Sequence, residues 1–160
     1  MSAWSATVTR NTVMHSARTA IAAVVSTLLA RSVLRLPEFY WAPVSTVVIL
    51  LSGANPMKLA WQRFAGTALG AVMGALIATY FTHTLAVYAV GIFISGIVSS
   101  LLRIGAAFRF AGITLTIVLL VPYTHPTWIV AFHRFVEVSL GIAVALLVTV
   151  IWRLDPPDAS

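Results

Sequence analysis

The sequence predicts an all-α polytopic membrane bundle of six transmembrane helices, built as an inverted repeat of three plus three. Three observations predict it: an apolar composition, charges that interrupt it at nearly span-length intervals, and an echo between its two halves. Of 160 residues, 60% are apolar and 9% charged, with a mean hydropathy of +0.98. Soluble domains run at about 45–50% apolar and about 25% charged. A soluble fold of this composition would have too little polar surface to face water, whereas lipid removes the conflict. The length is that of one domain, taken here as a single transmembrane domain over 1–160.

Crossing a bilayer takes about 20 apolar residues per helix. The first run lies between Arg18 and Arg31, extendable to Leu36 if the arginines snorkel. The second runs from Phe39 to about Gly53. Residues 64–102 are uncharged and long enough for two spans, with a hinge at Phe81-Thr82-His83-Thr84. The fifth run is about 108–122, ended by Pro122. The sixth is about 128–152, ended by Arg153 and closed by Asp155-Pro156-Pro157. Only helices and closed barrels satisfy their backbone in lipid. The runs are continuous rather than alternating, which selects helices. The first run is followed directly by Arg31 and Arg35 and then by five more runs, so it reads as a retained span, not a signal peptide.

The cations set the orientation. With the N-terminus inside, the inner segments carry Arg10, Arg18, Lys58, Arg63, Arg103, Arg109 and Arg153, and the outer ones Arg31, Arg35 and Arg134. That bias places both termini in the cytoplasm of a bacterial inner membrane. Tyr40, Trp41, Trp61, Trp128 and Trp152 fall near expected span ends, as interfacial aromatics do.

The halves match at an offset near 70 residues. Arg63-Phe64 followed by Leu69-Gly70 matches Arg134-Phe135 followed by Leu140-Gly141. Trp41-Ala42 matches Phe110-Ala111, and Asn55-Pro56 matches His125-Pro126. Repeat one covers about 16–82 and repeat two about 84–153. Three spans is an odd number, so the second unit must lie upside down relative to the first. Secondary transporters commonly use this design, with sites near the repeat interface.

Gly66, Gly70 and Gly74 stand four apart, a small-residue ridge for close helix packing. The second repeat carries Glu137, Gly141, Ala145 and Thr149 at the matching places, with Glu137 where the first glycine stands and about one turn from the outer surface. An acid inside a span is a functional hypothesis by default. Arg134, three residues earlier, is within its reach on the same face, so an Arg134–Glu137 pair is the structural alternative. Arg63 and Arg134 each suit either anchoring at the interface or attraction of an anion. His15, His83, His125 and His133 show no metal-ligand spacing. There is no cysteine, no nucleophile with an orienting base, no phosphate-binding glycine loop and no basic stripe of nucleic-acid type. The expectation is therefore no enzyme, no cofactor, no metal and no nucleic-acid partner. A channel would need a polar stripe along several spans, and only scattered residues such as Ser95 and Ser99 supply one.

Tyr40-Trp41-Ala42, the segment Arg63-Phe64-Ala65-Gly66-Thr67-Ala68-Leu69-Gly70-Ala71, and Arg134 through Gly141 together resemble the membrane half of the fusaric acid resistance (FUSC) or aromatic acid exporter family. The likeness covers most of 16–153, and Arg-x-x-Gly-Thr-x-x-Gly is its most specific part. The resemblance implies proton-driven efflux of aromatic carboxylic acids or related weak acids. Arg63 and Arg134 would then attract the carboxylate, Tyr40 and Trp41 would stack on the ring, and Glu137 would carry the proton. The family's two-half architecture with cytosolic domains is represented here by one half. A homo-oligomer or a partner membrane or periplasmic subunit is expected beside the lipid bilayer. The competing reading is a non-transporting scaffold or regulatory subunit.

Overall fold

The computed structural model describes residues 10–52, 55–82, 84–121 and 125–152. Within them the chain is all-α: α1 (Arg10–Leu28), α2 (Trp41–Leu50), α3 (Pro56–Tyr80), α4 (Leu85–Leu101), α5 (Phe108–Leu120) and α6 (Thr127–Ile151). A π-helical turn, Leu29–Val33, extends α1, and a 3-10 turn, Gly105–Ala107, leads into α5. Gly53, His83, Pro122, Arg153 and the Asp155-Pro156-Pro157 stop lie outside the described residues.

Helix starts follow local chemistry. Asn55 caps α3, its side chain accepting from the backbone N–H of Met57 at 3.0 Å and of Lys58 at 3.3 Å, with Pro56 at the first helical position where no N–H is needed. Thr84 caps α4 through the Val87 N–H at 3.3 Å. Pro43 sits in the first turn of α2, the one place a helix tolerates it. Helix ends are also alike. Arg35 (φ 48°) and Arg103 (φ 57°) are the left-handed non-glycine residues among the described residues, and each closes a helix. The Ile104 N–H returns to the Ser99 carbonyl at 2.9 Å after Arg103, and the Leu36 N–H returns to Ala30 at 3.0 Å after Arg35, across the wider π turn.

Among the described residues, three segments are long and apolar enough to cross a membrane: Arg10–Val33, Pro56–Tyr80 and Thr127–Ile151. The protein is a multi-pass membrane protein on this ground. The polarity of the bundle agrees, because its apolar residues face outward. Val72, Leu76, Phe93, Leu101, Leu147 and Ile151 are exposed, while Ser26, Ser45, Thr46, Ser95, Ser99 and Glu137 are fully buried. Several hydroxyls bond back along their own helix, as Thr27 does to the Ala23 carbonyl at 2.8 Å and Thr149 to Ala145 at 2.8 Å, which satisfies them without water.

Two elements differ from the sequence expectation. α2 has 10 residues, roughly 15 Å at 1.5 Å per residue, which is half the ~30 Å hydrocarbon core. The apolar run 39–53 is long, but its helix is not. α3 begins at Pro56 rather than near 64, so Lys58 and Arg63 are inside the helix.

α3 and α6 run antiparallel across the centre. Phe64 meets Phe135 with ring centroids 5.1 Å apart, while Ala71 and Ala75, further along α3, face the earlier α6 residues Trp128 and Ala131. α3 packs chiefly on α5 and α6, and α6 on α2 and α3.

Candidate functional site

The glycine ridge fixes how closely these helices approach. A side chain at Gly70 would run into the Ala111 carbonyl oxygen and lie 2.8 Å from Thr114 Cβ. At Gly141 it would run into the Ala42 carbonyl oxygen and lie 2.6 Å from Ser45 Cβ. Gly66 meets the Ala107 carbonyl and Phe110 Cβ in the same way, and Gly74 meets Val118. Gly66, Gly70 and Gly141 thus bring backbone close to backbone, and Gly74 packs on the Val118 side chain. Thr46 donates to the Gly141 carbonyl at 3.1 Å from within α2.

This close approach brings two buried arginines against two aromatic rings. On α6, the Arg134 guanidinium lies 3.7 Å from the centroid of the Trp41 ring. On α3, Arg63 lies 5.1 Å from the Phe110 ring. Arg134 is 3% exposed and Arg63 8%. Neither projects from the bundle. Trp41 likewise serves as a platform under Arg134, not as an outward membrane-belt residue. Trp61 and Trp128 do face outward.

The two arginines differ in their partners. Arg134 Nη2 is 3.0 Å from Glu38 Oε2, and Nη1 is 4.0 Å from Glu137 Oε2. Glu137 is fully buried and is the eleventh residue of α6, about three turns from the helix start. Arg63 has no acidic or hydrogen-bonding partner among the described residues. At the places matching Glu38 and Glu137 near Arg63 stand Ala107 and Gly66, whose contact leaves no room for an acid.

Arg109 shares the Phe110 ring with Arg63, at 4.8 Å, and its Nη2 donates to Gln62 Oε1 at 3.1 Å. Beside them a cleft of about 500 Å³ opens between the starts of α3 and α5, lined by Lys58, Gln62, Phe108 and Arg109 with no acid. Two cations and a helix N-terminus make this cleft attractive to an anion. Tyr40 stands next to Trp41, with ring centroids 5.6 Å apart, and is half exposed. Sequence reasoning paired Arg134 with Glu137 and placed Arg63, Trp41 and Tyr40 among the site residues. It missed Glu38, which sits in the short turn before α2. It also missed Arg18 as a bundle residue: its Nη1 donates to the Trp152 carbonyl at 3.1 Å, tying α1 to the end of α6.

The family profile described as fusaric acid resistance protein-like matches residues 21–148, which takes in every charged group just described except Arg18. Neither the curated proteins nor the solved structures provide a match to this chain.

Proposed function

This chain belongs to the fusaric acid resistance protein-like family, and from that premise we propose that it is a secondary transporter that exports small aromatic carboxylic acids or related weak acids, coupled to proton entry. The observation that carries the reading is Arg63, a buried cation with no acidic partner among the described residues, set over the Phe110 ring that it shares with Arg109 of the acid-free basic cleft. A buried charge without a counter-ion is costly, and an anionic substrate supplies what is missing. The cleft volume is within the range of small-molecule sites. Arg134, already paired, is the lesser candidate for the carboxylate. Tyr40 retains an open ring face for stacking, whereas the Trp41 face is covered by Arg134. Glu137 is the proton carrier.

Six spans in two oppositely oriented units of three suit this function. Support comes from the antiparallel α3 and α6, the matched pairs Gly70–Ala111 and Gly141–Ala42, and the matched stacks Arg63–Phe110 and Arg134–Trp41. The short α2 and α5 begin beside the two arginines, and transporter folds place their sites at the ends of interrupted helices. The unit would reside in a bacterial inner membrane with both termini cytoplasmic, as a homo-oligomer or with a partner subunit.

Purified protein in sealed liposomes, with benzoate as probe and an imposed pH gradient, tests the proposal. Wild type moves benzoate; Arg63→Gln loses most of that movement; Glu137→Gln folds but loses its dependence on the gradient. Undiminished gradient-driven movement in Glu137→Gln removes the coupling role. No movement by any folded form removes the transporter and leaves a scaffold or regulatory subunit.

A further inference from the structure

The Glu38–Arg134–Glu137 cluster holds two carboxylates against one guanidinium. We propose that Glu38 and Glu137 share one exchangeable proton across Arg134, with Glu38 as the group through which it passes to and from water. Glu38 thereby becomes a second member of the proton site, and in its use for coupling this rests on the transporter reading above.

Charge and geometry both lead there. Two ionised acids beside one arginine would leave a net negative charge in a largely buried site, and such a charge is removed by binding a proton. Close carboxyl pairs hold a single proton as a unit. The two legs of the cluster are unequal. Arg134 reaches Glu38 at 3.0 Å, an ion-pair distance, but stands 4.0 Å from Glu137. Neither Glu137 oxygen has a hydrogen bond at standard geometry, although the Glu38 backbone amide approaches it. The unequal legs therefore place the proton on Glu137 in this conformation.

Exposure gives the pair a direction. Glu137 is fully buried, whereas the Glu38 side chain is 17% exposed. Glu38 also sits outside any helix, in the turn between the left-handed Arg35 and the start of α2, where its carbonyl accepts from the Trp41 N–H at 3.1 Å. Arg134 and Glu137 stand three apart on one helix face. A rotamer change of Arg134 across the flat Trp41 ring shortens one leg and lengthens the other, and the proton moves to the carboxyl left behind. The O–H bond on Glu137 breaks as one forms on Glu38, and the proton then leaves to water with no other reactant.

Among the described residues, the other charged groups stand as follows. α2 carries none. From α6, His133 adjoins Arg134. From the segment before α2, Arg35 is exposed, and Arg31 at the end of α1 lies over the Phe39 ring at 5.6 Å. On α3, Arg63 is turned to Phe110, and Arg18 of α1 is bound at the far end of α6.

The chain has only four acidic side chains: Glu38, Glu137, Asp155 and Asp158. Infrared difference spectroscopy of the purified protein in liposomes can therefore assign carboxyl bands one by one, without substrate. The expected result is a protonated carboxyl band at neutral pH that shifts in deuterium oxide and disappears in Glu137→Gln. In Glu38→Gln one carboxylate faces one guanidinium, so the band is absent at neutral pH and returns only at lower pH, where its exchange is slower by about tenfold or more, equivalent to ~1.4 kcal/mol of added barrier. Glu38→Asp restores the neutral-pH band and its exchange and shows that the loss was of the carboxyl, not of the fold. The proposal is overturned if wild type has no such band, if the band survives Glu137→Gln, or if Glu38→Gln keeps the neutral-pH band or exchanges at the wild-type rate. The measurement stands apart from transport: the proton site can be present in a protein that moves no benzoate.

Discussion

Replacing Gly141 by alanine tests the packing on which the buried charges depend. The new methyl would lie 2.6 Å from Ser45 Cβ and collide with the Ala42 carbonyl oxygen. It would stand about 1 Å inside the ~3.5–4.0 Å spacing of carbon atoms in contact. A backbone carbonyl cannot rotate away as a flexible side chain can, so α2 and α6 must separate. Overpacking of this kind costs roughly 1–3 kcal/mol. Separation also weakens the Thr46 bond to the Gly141 carbonyl, now 3.1 Å, worth about 1 kcal/mol. Alanine returns about 1 kcal/mol through its better helix propensity. The net expectation is a loss of roughly 1–3 kcal/mol, and a melting midpoint lower by about 2–4 °C per kcal/mol. Gly112 is the control, because the nearest atom to a methyl there is Ile92 Cδ1 at 3.8 Å, an ordinary contact. Thermal melts of the two variants in one detergent decide the matter. A Gly141→Ala protein as stable as Gly112→Ala would refute the close approach of α2 and α6.

Other substitutions probe the same framework. Arg35→Gly and Arg103→Gly relieve left-handed backbone at two helix ends, and each should raise detergent-melt stability by about 1 kcal/mol; a drop would show that the arginine side chains matter more than their backbone. Arg134→Gln removes the counter-charge of buried Glu137 and half-buried Glu38 and should destabilise by about 3–5 kcal/mol, read as loss of monodisperse protein in size-exclusion chromatography. Adding Glu38→Gln to that variant should recover part of the loss, and an additive second penalty would argue against a shared cluster. Trp41→Leu keeps an apolar side chain but removes the ring beneath Arg134, at an expected loss of at least ~1–2 kcal/mol, measured by the same melts.

The long helices were legible in the sequence because a span-length apolar run has one stable outcome in lipid. The glycine ridge was legible because residues four apart share a face whatever surrounds them, and Arg134–Glu137 followed from the same periodicity. α2 was not legible. Its apolar run continues through the turn before the helix, and hydropathy does not register where hydrogen bonding begins; Pro43 marks the first turn only once the helix is known. Glu38 was missed because its partner is reached through tertiary packing, set by the contact of Gly141 with Ala42, and no local spacing encodes that. Trp41 was assigned to the membrane surface from its place at the edge of an apolar run. Its ring instead supports a buried cation, a role visible only when α6 is laid beside α2.

The contact of Gly66 with the Ala107 carbonyl has a wider consequence. A side chain at 66 is sterically excluded, so the chain can place a carboxylate of its own at 137 beside Arg134 but not at the matching position 66 beside Arg63. The chain's two cationic centres are thereby committed to unequal chemistry by a shortage of space alone. Substitutions elsewhere can tune the acid pair, but moving it to the other half would first require prising α3 away from α5.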